Sequence, residues 1–313
     1  MKKILVTGGA GFIGSHTVDL LLAENFHVIV YDNLATGKLA YLNLQHPHLT
    51  FIQDDILHYP ALAKAIAECD VVLHLAALTS VPQSITNPIQ SNQVNLLGFL
   101  HVLQAIRETQ KPIRLIYASS AAVYGKDTPL PCRDDGVIHS SVLSPYALEK
   151  ISNEHYANLY ERLFGIKSLG LRYFNVYGPR QDPASPYSGV ISQFIERYRA
   201  KQPITIFGDG KQSRDFIYVT DVAKANVLAI QSEYEGVANI ATGKAETLLN
   251  LIQYIEKVGN EPATVKWAAA RKGDIYQSYA AIDTAVKYLQ FHASISLTEG
   301  IQKTLKISYS NPI

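Results

Sequence analysis

The stretch Ile4-Leu5-Val6 runs straight into Thr7-Gly8-Gly9-Ala10-Gly11-Phe12-Ile13-Gly14-Ser15, and no other feature restricts the possible fold as much. Glycines at 8, 11 and 14 let a backbone turn tightly after a strand and come close to a pyrophosphate at the first turn of a helix. Glycines also end many strands without binding anything. Their position between the first strand and a helix makes the spacing specific to dinucleotide binding.

The rest of the chain agrees with that start. Short β-branched runs at His27-Val28-Ile29-Val30-Tyr31, Val71-Val72-Leu73-His74-Leu75, Ile113-Arg114-Leu115-Ile116-Tyr117 and 167–172 alternate with longer helical patterns. Such alternation predicts an α/β fold, a Rossmann doubly wound parallel sheet with helices on both faces and ligands beyond the carboxyl ends of the strands. After about Gly178 the pattern loosens into Pro- and Gly-rich loops with helices near 189–200, 220–232, 246–258 and 295–306. The expected division is a cofactor domain over 1–178 and a smaller α/β substrate region over 179–313, with segments of the latter returning to the sheet.

Strand 2 ends at Tyr31-Asp32, eighteen positions past Gly14. A carboxylate there accepts hydrogen bonds from the adenosine ribose hydroxyls and repels a 2′-phosphate, which favours NAD over NADP. The alternative for Asp32 is a solvated loop aspartate. Asp55-Ile56, after the third strand, is placed to hold the adenine edge.

Charge, cysteines and hydropathy exclude several classes. Lys and Arg number 28 against 27 Asp and Glu, a net charge of +1, so no strong field gathers nucleic acid or anionic membrane. Two cysteines, Cys69 and Cys132, outline neither a disulfide framework nor a zinc site, and a reducing cytoplasm is the expected location. The charged Met1-Lys2-Lys3 leads into apolar residues that Thr7-Gly8-Gly9 soon interrupts, which reads as a strand and not a secretion signal. No run reaches the roughly 20 apolar residues of a membrane span. The ten histidines show no metal-ligand spacing, no metal is expected, and His74 reads as a strand-end core residue.

Ser144-Pro145-Tyr146-Ala147-Leu148-Glu149-Lys150 reads as a helix start, Ser144 capping and Pro145 at the first position. Tyr146 and Lys150, four apart, share a face, and an ammonium near the phenol together with an oxidised nicotinamide favours phenolate. On spacing alone this is an ordinary surface helix. The preceding strand, however, ends in Ala118-Ser119-Ser120-Ala121-Ala122-Val123-Tyr124-Gly125, bringing hydroxyls to the sheet's carboxyl edge, where Ser120 can meet a reacting oxygen.

With these motifs, and with Leu171-Arg172-Tyr173-Phe174-Asn175 and Arg214-Asp215-Phe216-Ile217-Tyr218-Val219, the chain resembles the extended short-chain dehydrogenase/reductase superfamily over nearly its whole length. Within it, the likeness is to nucleotide-sugar epimerases of the UDP-N-acetylglucosamine and UDP-glucose 4-epimerase kind. The resemblance implies catalytic Ser120, Tyr146 and Lys150. It implies a cofactor set of Gly8, Gly11, Phe12, Ile13, Gly14, Asp32, Asn33, Asp55, Ile56, Leu75, Ala76, Ala77, Asn95 and Tyr173, besides Tyr146 and Lys150. Substrate contacts are expected from Thr79, Ser80, Ser119, Ser120, Asn175, Gly189, Val190, Arg214, Arg271, Asp274 and Ser278.

Dehydratases of the superfamily carry an Asp-Glu pair where this chain has Ala121 and Ala122, and decarboxylases tend to have a glutamate at the position of Ala122. Subtraction leaves C4 epimerisation through a transient 4-keto sugar, with the cofactor retained through each cycle. Four positions beyond Asp274 the family limits pocket size, and the residue here is Ser278, which leaves room for a 2-acetamido group. The segments Arg180-Gln181-Asp182-Pro183 and Ser188-Gly189-Val190-Ile191 also resemble the UDP-N-acetylglucosamine epimerases. Interconversion of UDP-GlcNAc and UDP-GalNAc is therefore the expectation, but a shift of one residue would put Tyr279 at the gate. UDP-glucose or UDP-glucuronate epimerisation, net reduction of a keto sugar with NADPH, and a non-catalytic NAD-sensing role stand as alternatives. The helices at 88–109 and 145–164 resemble the pair that joins protomers in this superfamily, which implies a homodimer.

Overall fold

The computed structural model describes residues 2–135, 141–182, 189–270 and 275–306. Strands β1 (Lys3–Thr7), β2 (His27–Tyr31), β3 (Leu49–Ile52), β4 (Val71–His74), β5 (Arg114–Ser120), β6 (Ser168–Tyr173) and β7 (Gly236–Ile240) form one sheet. Its order is β7-β6-β5-β4-β1-β2-β3, and every neighbouring pair is parallel. The order reverses at β1, so the crevice for a dinucleotide opens beyond the carboxyl ends of β1 and β4.

The unbroken apolar runs of the strands follow from burial on both faces. Ile4, Val6, Val28, Val30, Leu73 and Ile116 point into one core layer. Leu5, Ile29, Val72, Leu115 and Tyr117, one residue out of phase, fill the other.

Helices α1 (Phe12–Ala23), α2 (Tyr59–Ile66), α3 (Val81–Thr86), α4 (Pro88–Asn92), α5 (Gly98–Thr109) and α6 (Pro145–Phe164) link these strands. The single helix expected over 88–109 is broken, because residues 93–97 wind as a π-helix that turns Asn95 into the interior, where it is 1% exposed. One extra residue in a turn is a device that recurs beside functional sites.

Beyond residue 178 lie α7 (Val190–Arg199), α8 (Val219–Gln231), α9 (Leu248–Gly259), α10 (Asp283–Leu289) and α11 (Leu297–Leu305). Three of the later segments return to the sheet, among them α10, whose Ala285 and Leu289 share a core with Ile4 and Val6. β7 extends its edge, and α8 lies on α1, where Asn226 donates to the Thr17 hydroxyl at 2.9 Å. The remainder gathers around its own core of Ile191, Phe194, Ile204, Leu251, Ile255 and Ile301. Short ladders brace it, including 213–214 paired with 246–247 and with 277–278. No helix among the described residues is long and apolar enough to cross a membrane.

Candidate active site

The glycine turn has the geometry that a phosphate cradle requires. Gly8 has φ +70°, and a Cβ on it would lie 2.7 Å from the Ala76 amide nitrogen. Gly11 precedes α1 without a side-chain cap, so the N–H groups of Phe12, Ile13 and Gly14 in the first turn are available to an anion. A Cβ on Gly14 would run into the Gly8 carbonyl. Leu75, Ala76 and Ala77 line the opposite wall, with the Leu75 N–H donating to the Thr7 carbonyl at 3.0 Å and the Ala76 N–H to the Thr7 hydroxyl at 3.3 Å. Beneath them the Thr7 hydroxyl and His74 Nδ1 are 2.8 Å apart. Burial drives the His74 pKa down to about 3, so His74 is a neutral core residue.

At the ribose end, Asp32 is 8% exposed and accepts from the Ala10 N–H at 3.0 Å and the Leu34 N–H at 2.8 Å. Burial raises its carboxyl pKa, and these two amides oppose the rise. Asn33 donates to Asp55 at 2.8 Å, and Asp55 also accepts from the Leu57 N–H at 2.8 Å. Ile56 is buried against Gly98. The turn at Gly37, absent from the sequence reading, closes on this corner, since a Cβ there would sit 3.0 Å from the Asp32 carboxylate. A glycine five residues after the acidic residue is the signal that could have revealed it. This cradle and this carboxylate fit a dinucleotide.

α6 begins as its sequence implies, with Ser144 accepting from the Ala147 N–H at 3.2 Å and Pro145 leading the first turn. Tyr146 and Lys150 are 9% and 2% exposed, and the Lys150 ammonium is 5.7 Å from the centre of the Tyr146 ring. Lys150 Nζ donates to the Ala118 carbonyl at 2.8 Å. Ser120, at the end of β5, favours the ionised Tyr146 phenol, and Lys150 is tied to the same strand, so the three candidate catalytic residues meet at one strand end. Burial pushes the phenol up to about 12, with Ser120 pulling against it and Glu149 adding to it. Burial pulls Lys150 down to about 8, with Glu149 and Glu154 opposing.

Several predicted residues serve the frame through their side chains. Strand alternation turns Ser119 away from Ser120, and its hydroxyl donates to Glu154 at 2.5 Å. Glu154 is held from its other side by Arg172 at 2.9 and 2.7 Å. Tyr173 donates to Asn226 at 2.6 Å. Asn95 accepts from the Leu78 N–H at 2.8 Å and donates to the Leu78 carbonyl at 3.0 Å, fixing the backbone that leads to Thr79 and Ser80. Thr79 is exposed, and Ser80 caps α3 by accepting from the Gln83 N–H at 3.1 Å.

On the substrate side, Asn175 donates to the Asp215 carbonyl at 3.0 Å, and Gly189 and Val190 form the start of α7. Arg214 is the register partner of Ser278. Asp215, fully buried and unassigned in the sequence reading, anchors this corner. It accepts from the Thr242 N–H and hydroxyl at 2.8 and 2.6 Å, the Gly243 N–H at 2.9 Å and the Ala280 N–H at 3.3 Å. Arg271 and Asp274 lie outside the described residues. Among the described residues no group of three or more His, Cys, Asp or Glu could hold a metal ion.

Comparison with known proteins gives this arrangement its context. The model of the NAD dependent epimerase/dehydratase family matches residues 4–241. A putative UDP-glucose 4-epimerase of Methanocaldococcus jannaschii is 40% identical over 310 residues, covering 98% of this chain and 99% of the relative. The UDP-N-acetylglucosamine 4-epimerase of Methanobrevibacter ruminantium, solved with UDP-N-acetylmuramic acid, superposes with a TM-score of 0.93 at 40% identity, covering 97% of each chain. The UDP-glucose 4-epimerase of Thermus thermophilus, solved with NAD, gives 0.87 at 36% identity, again over 97% of each. The chain belongs to the NAD dependent epimerase/dehydratase family, and NAD is its cofactor.

Proposed function

We propose that this enzyme is an isomerase that inverts C4 of a UDP-hexose, with UDP-GlcNAc and UDP-GalNAc as the preferred pair. The observation that carries the reading is the set of half-buried Ser120 with buried Tyr146 and Lys150 at the carboxyl end of β5, flanked by Ala121 and Ala122 where an elimination would need an acid and a base.

Ser120 binds the sugar 4-oxygen and Tyr146 takes its proton. Held by the Gly8 to Gly14 turn and Asp32, NAD would supply a hydride acceptor and donor for C4 and a positive charge favouring the Tyr146 phenolate. Lys150, held by the Ala118 carbonyl, keeps its ammonium beside the developing phenolate. The 4-keto sugar turns over in the site, and Tyr146 then returns the proton to the oxygen on the other face. Rotation of the sugar requires loose contacts there and firm ones on the diphosphate, for which Arg214 supplies charge.

The sugar preference rests on Ser278. Its register partner is Arg214, so a small side chain lies beside the diphosphate-binding arginine and leaves space for a 2-acetamido group. The likeness to the M. ruminantium UDP-N-acetylglucosamine 4-epimerase points the same way.

Two free, buried cysteines accord with a reducing cytoplasm. We also propose a homodimer, because Leu148, Leu159 and Leu163 leave an apolar stripe exposed on α6 and Leu97 is exposed just before α5. Light scattering at micromolar concentration should give twice the chain mass, and a monomer would overturn the proposal.

The test of activity is incubation of purified protein, without added NAD, with UDP-GlcNAc and separately with UDP-glucose, followed by the anomeric proton signals. Formation of UDP-GalNAc supports the proposal, and turnover of UDP-glucose alone overturns the sugar preference. Loss of turnover by about 10²- to 10⁴-fold in Tyr146→Phe, with unchanged thermal unfolding, would place Tyr146 in the chemistry.

A further inference from the structure

We infer that Glu149 is a positioning residue that acts through charge: it holds Lys150 as ammonium, makes Tyr146 harder to ionise, and so sets the pH range over which the pair works. The inference rests on the catalytic reading of Tyr146 and Lys150 given above and extends it to a residue outside the reacting set.

Glu149 lies on α6 between the two and is 4% exposed. Its Oε2 accepts from Ser91 at 2.8 Å and from Asn95 at 2.7 Å. Both donors are neutral, and they arrive from α4 and from the π-helical turn that follows it. Asn95 sits in that π-turn and is 1% exposed, so the turn and the buried acid meet at this bond.

A buried carboxylate met only by neutral donors keeps its charge uncompensated at short range and projects it onto neighbouring groups. The groups around Lys150 identify the source of that field. From β4, His74 is kept neutral by burial. From β5 comes the Ala118 carbonyl. From α6 itself come Glu149 and Glu154, the two carboxylates that raise the lysine. Glu154 is matched by the bidentate Arg172 and by Ser119, which spends its charge inside its own network. Among the described residues Glu149 has no such partner, and it also raises Tyr146.

Removal of one negative charge from this spot has a definite sign. Lys150 loses its proton at lower pH, and Tyr146 ionises at lower pH. Both limbs of a bell-shaped kcat profile therefore move towards acid, by about one to two pH units for a charge several ångströms away in a protein interior. A residue that merely packs would lower activity without moving both limbs the same way.

The experiment compares Glu149→Gln and Glu149→Asp with wild type in two measurements. The first is the kcat profile from pH 5.5 to 10 on UDP-GlcNAc and UDP-glucose. The second is titration of Lys150 in the NAD-loaded protein by NMR of lysine labelled with ¹³C at Cε, the resonance assigned by its loss in Lys150→Arg. The inference expects both limbs and the Lys150 titration to fall in Glu149→Gln and to stay near wild type in Glu149→Asp. It is overturned if the Lys150 titration is unchanged in Glu149→Gln, or if activity drops with both limbs in place. Should Glu149→Gln not fold, Glu149→Ser, whose hydroxyl can still meet Asn95, carries the same expectation. If wild type turns over neither sugar, the proposed activity falls, and the NMR titration still decides whether Glu149 controls the lysine charge.

Discussion

Lys150 Nζ sits 5.7 Å from the centre of the Tyr146 ring while it donates to the Ala118 carbonyl at 2.8 Å, so the strand that carries Ser120 also fixes the position of the ammonium. Burial lowers Lys150 to about 8 and raises Tyr146 to about 12. Lys150 is charged below its pKa and neutral above it. Activity that needs the ammonium is therefore present below about pH 8 and lost as pH rises through that value. A kcat profile measured with saturating UDP-sugar checks this, and a profile flat to pH 10 would contradict it.

Gly8→Ala should cost both stability and cofactor. The new Cβ adopts a left-handed backbone at φ +70° and presses on the Ala76 nitrogen at 2.7 Å. We expect a loss of about 1–3 kcal/mol from strain alone. The wild type should purify with nicotinamide whose absorbance appears on reduction, and the variant should lack it. Thermal unfolding and a cofactor assay on the same preparation read both effects.

Asp32→Asn keeps an acceptor for the Ala10 N–H and removes the charge. NAD affinity should weaken about tenfold or more, because hydrogen bonds from ribose to a carboxylate exceed those to an amide. The preference for NAD over NADP should narrow at the same time, since the repulsion of a 2′-phosphate is gone. Calorimetric titration of stripped protein with each dinucleotide tests both expectations.

Ser278→Tyr places a ring beside Arg214, its register partner. The ratio of kcat/KM for UDP-GlcNAc to that for UDP-glucose should fall by roughly 10- to 200-fold, with UDP-glucose turnover retained. Equal losses on both sugars would mean that the ring blocks the diphosphate and not the acetamido group.

Residues close in sequence were readable in advance where local chemistry decides the outcome. Gly8, Gly11 and Gly14 answer to steric contacts within one turn, and Ser144 with Pro145 opens α6 on its own cap. Tyr146 and Lys150 share a face because a helix brings positions four apart together. Ser119 was harder to read. On a strand its neighbour Ser120 points the other way, and only the long-range pair of Glu154 and Arg172 explains where its hydroxyl goes.

The sequence by itself determined the alternation of strands and helices, the glycine turn, the Asp32 end of β2 and the helical spacing of the catalytic pair, because each depends on covalent geometry and hydrophobic period over a few residues. Tertiary structure alone decided that β7 and α8 rejoin the sheet, that Asp215 ties Thr242, Gly243 and Ala280 to the Arg214 corner, and that a π-turn delivers Asn95 to Glu149. The Asp215 and Glu149 contacts join residues 27 to 65 positions apart, and Asn226 on α8 meets Thr17 across 209. Their stability comes from removing polar groups from water together, a condition that no local pattern records.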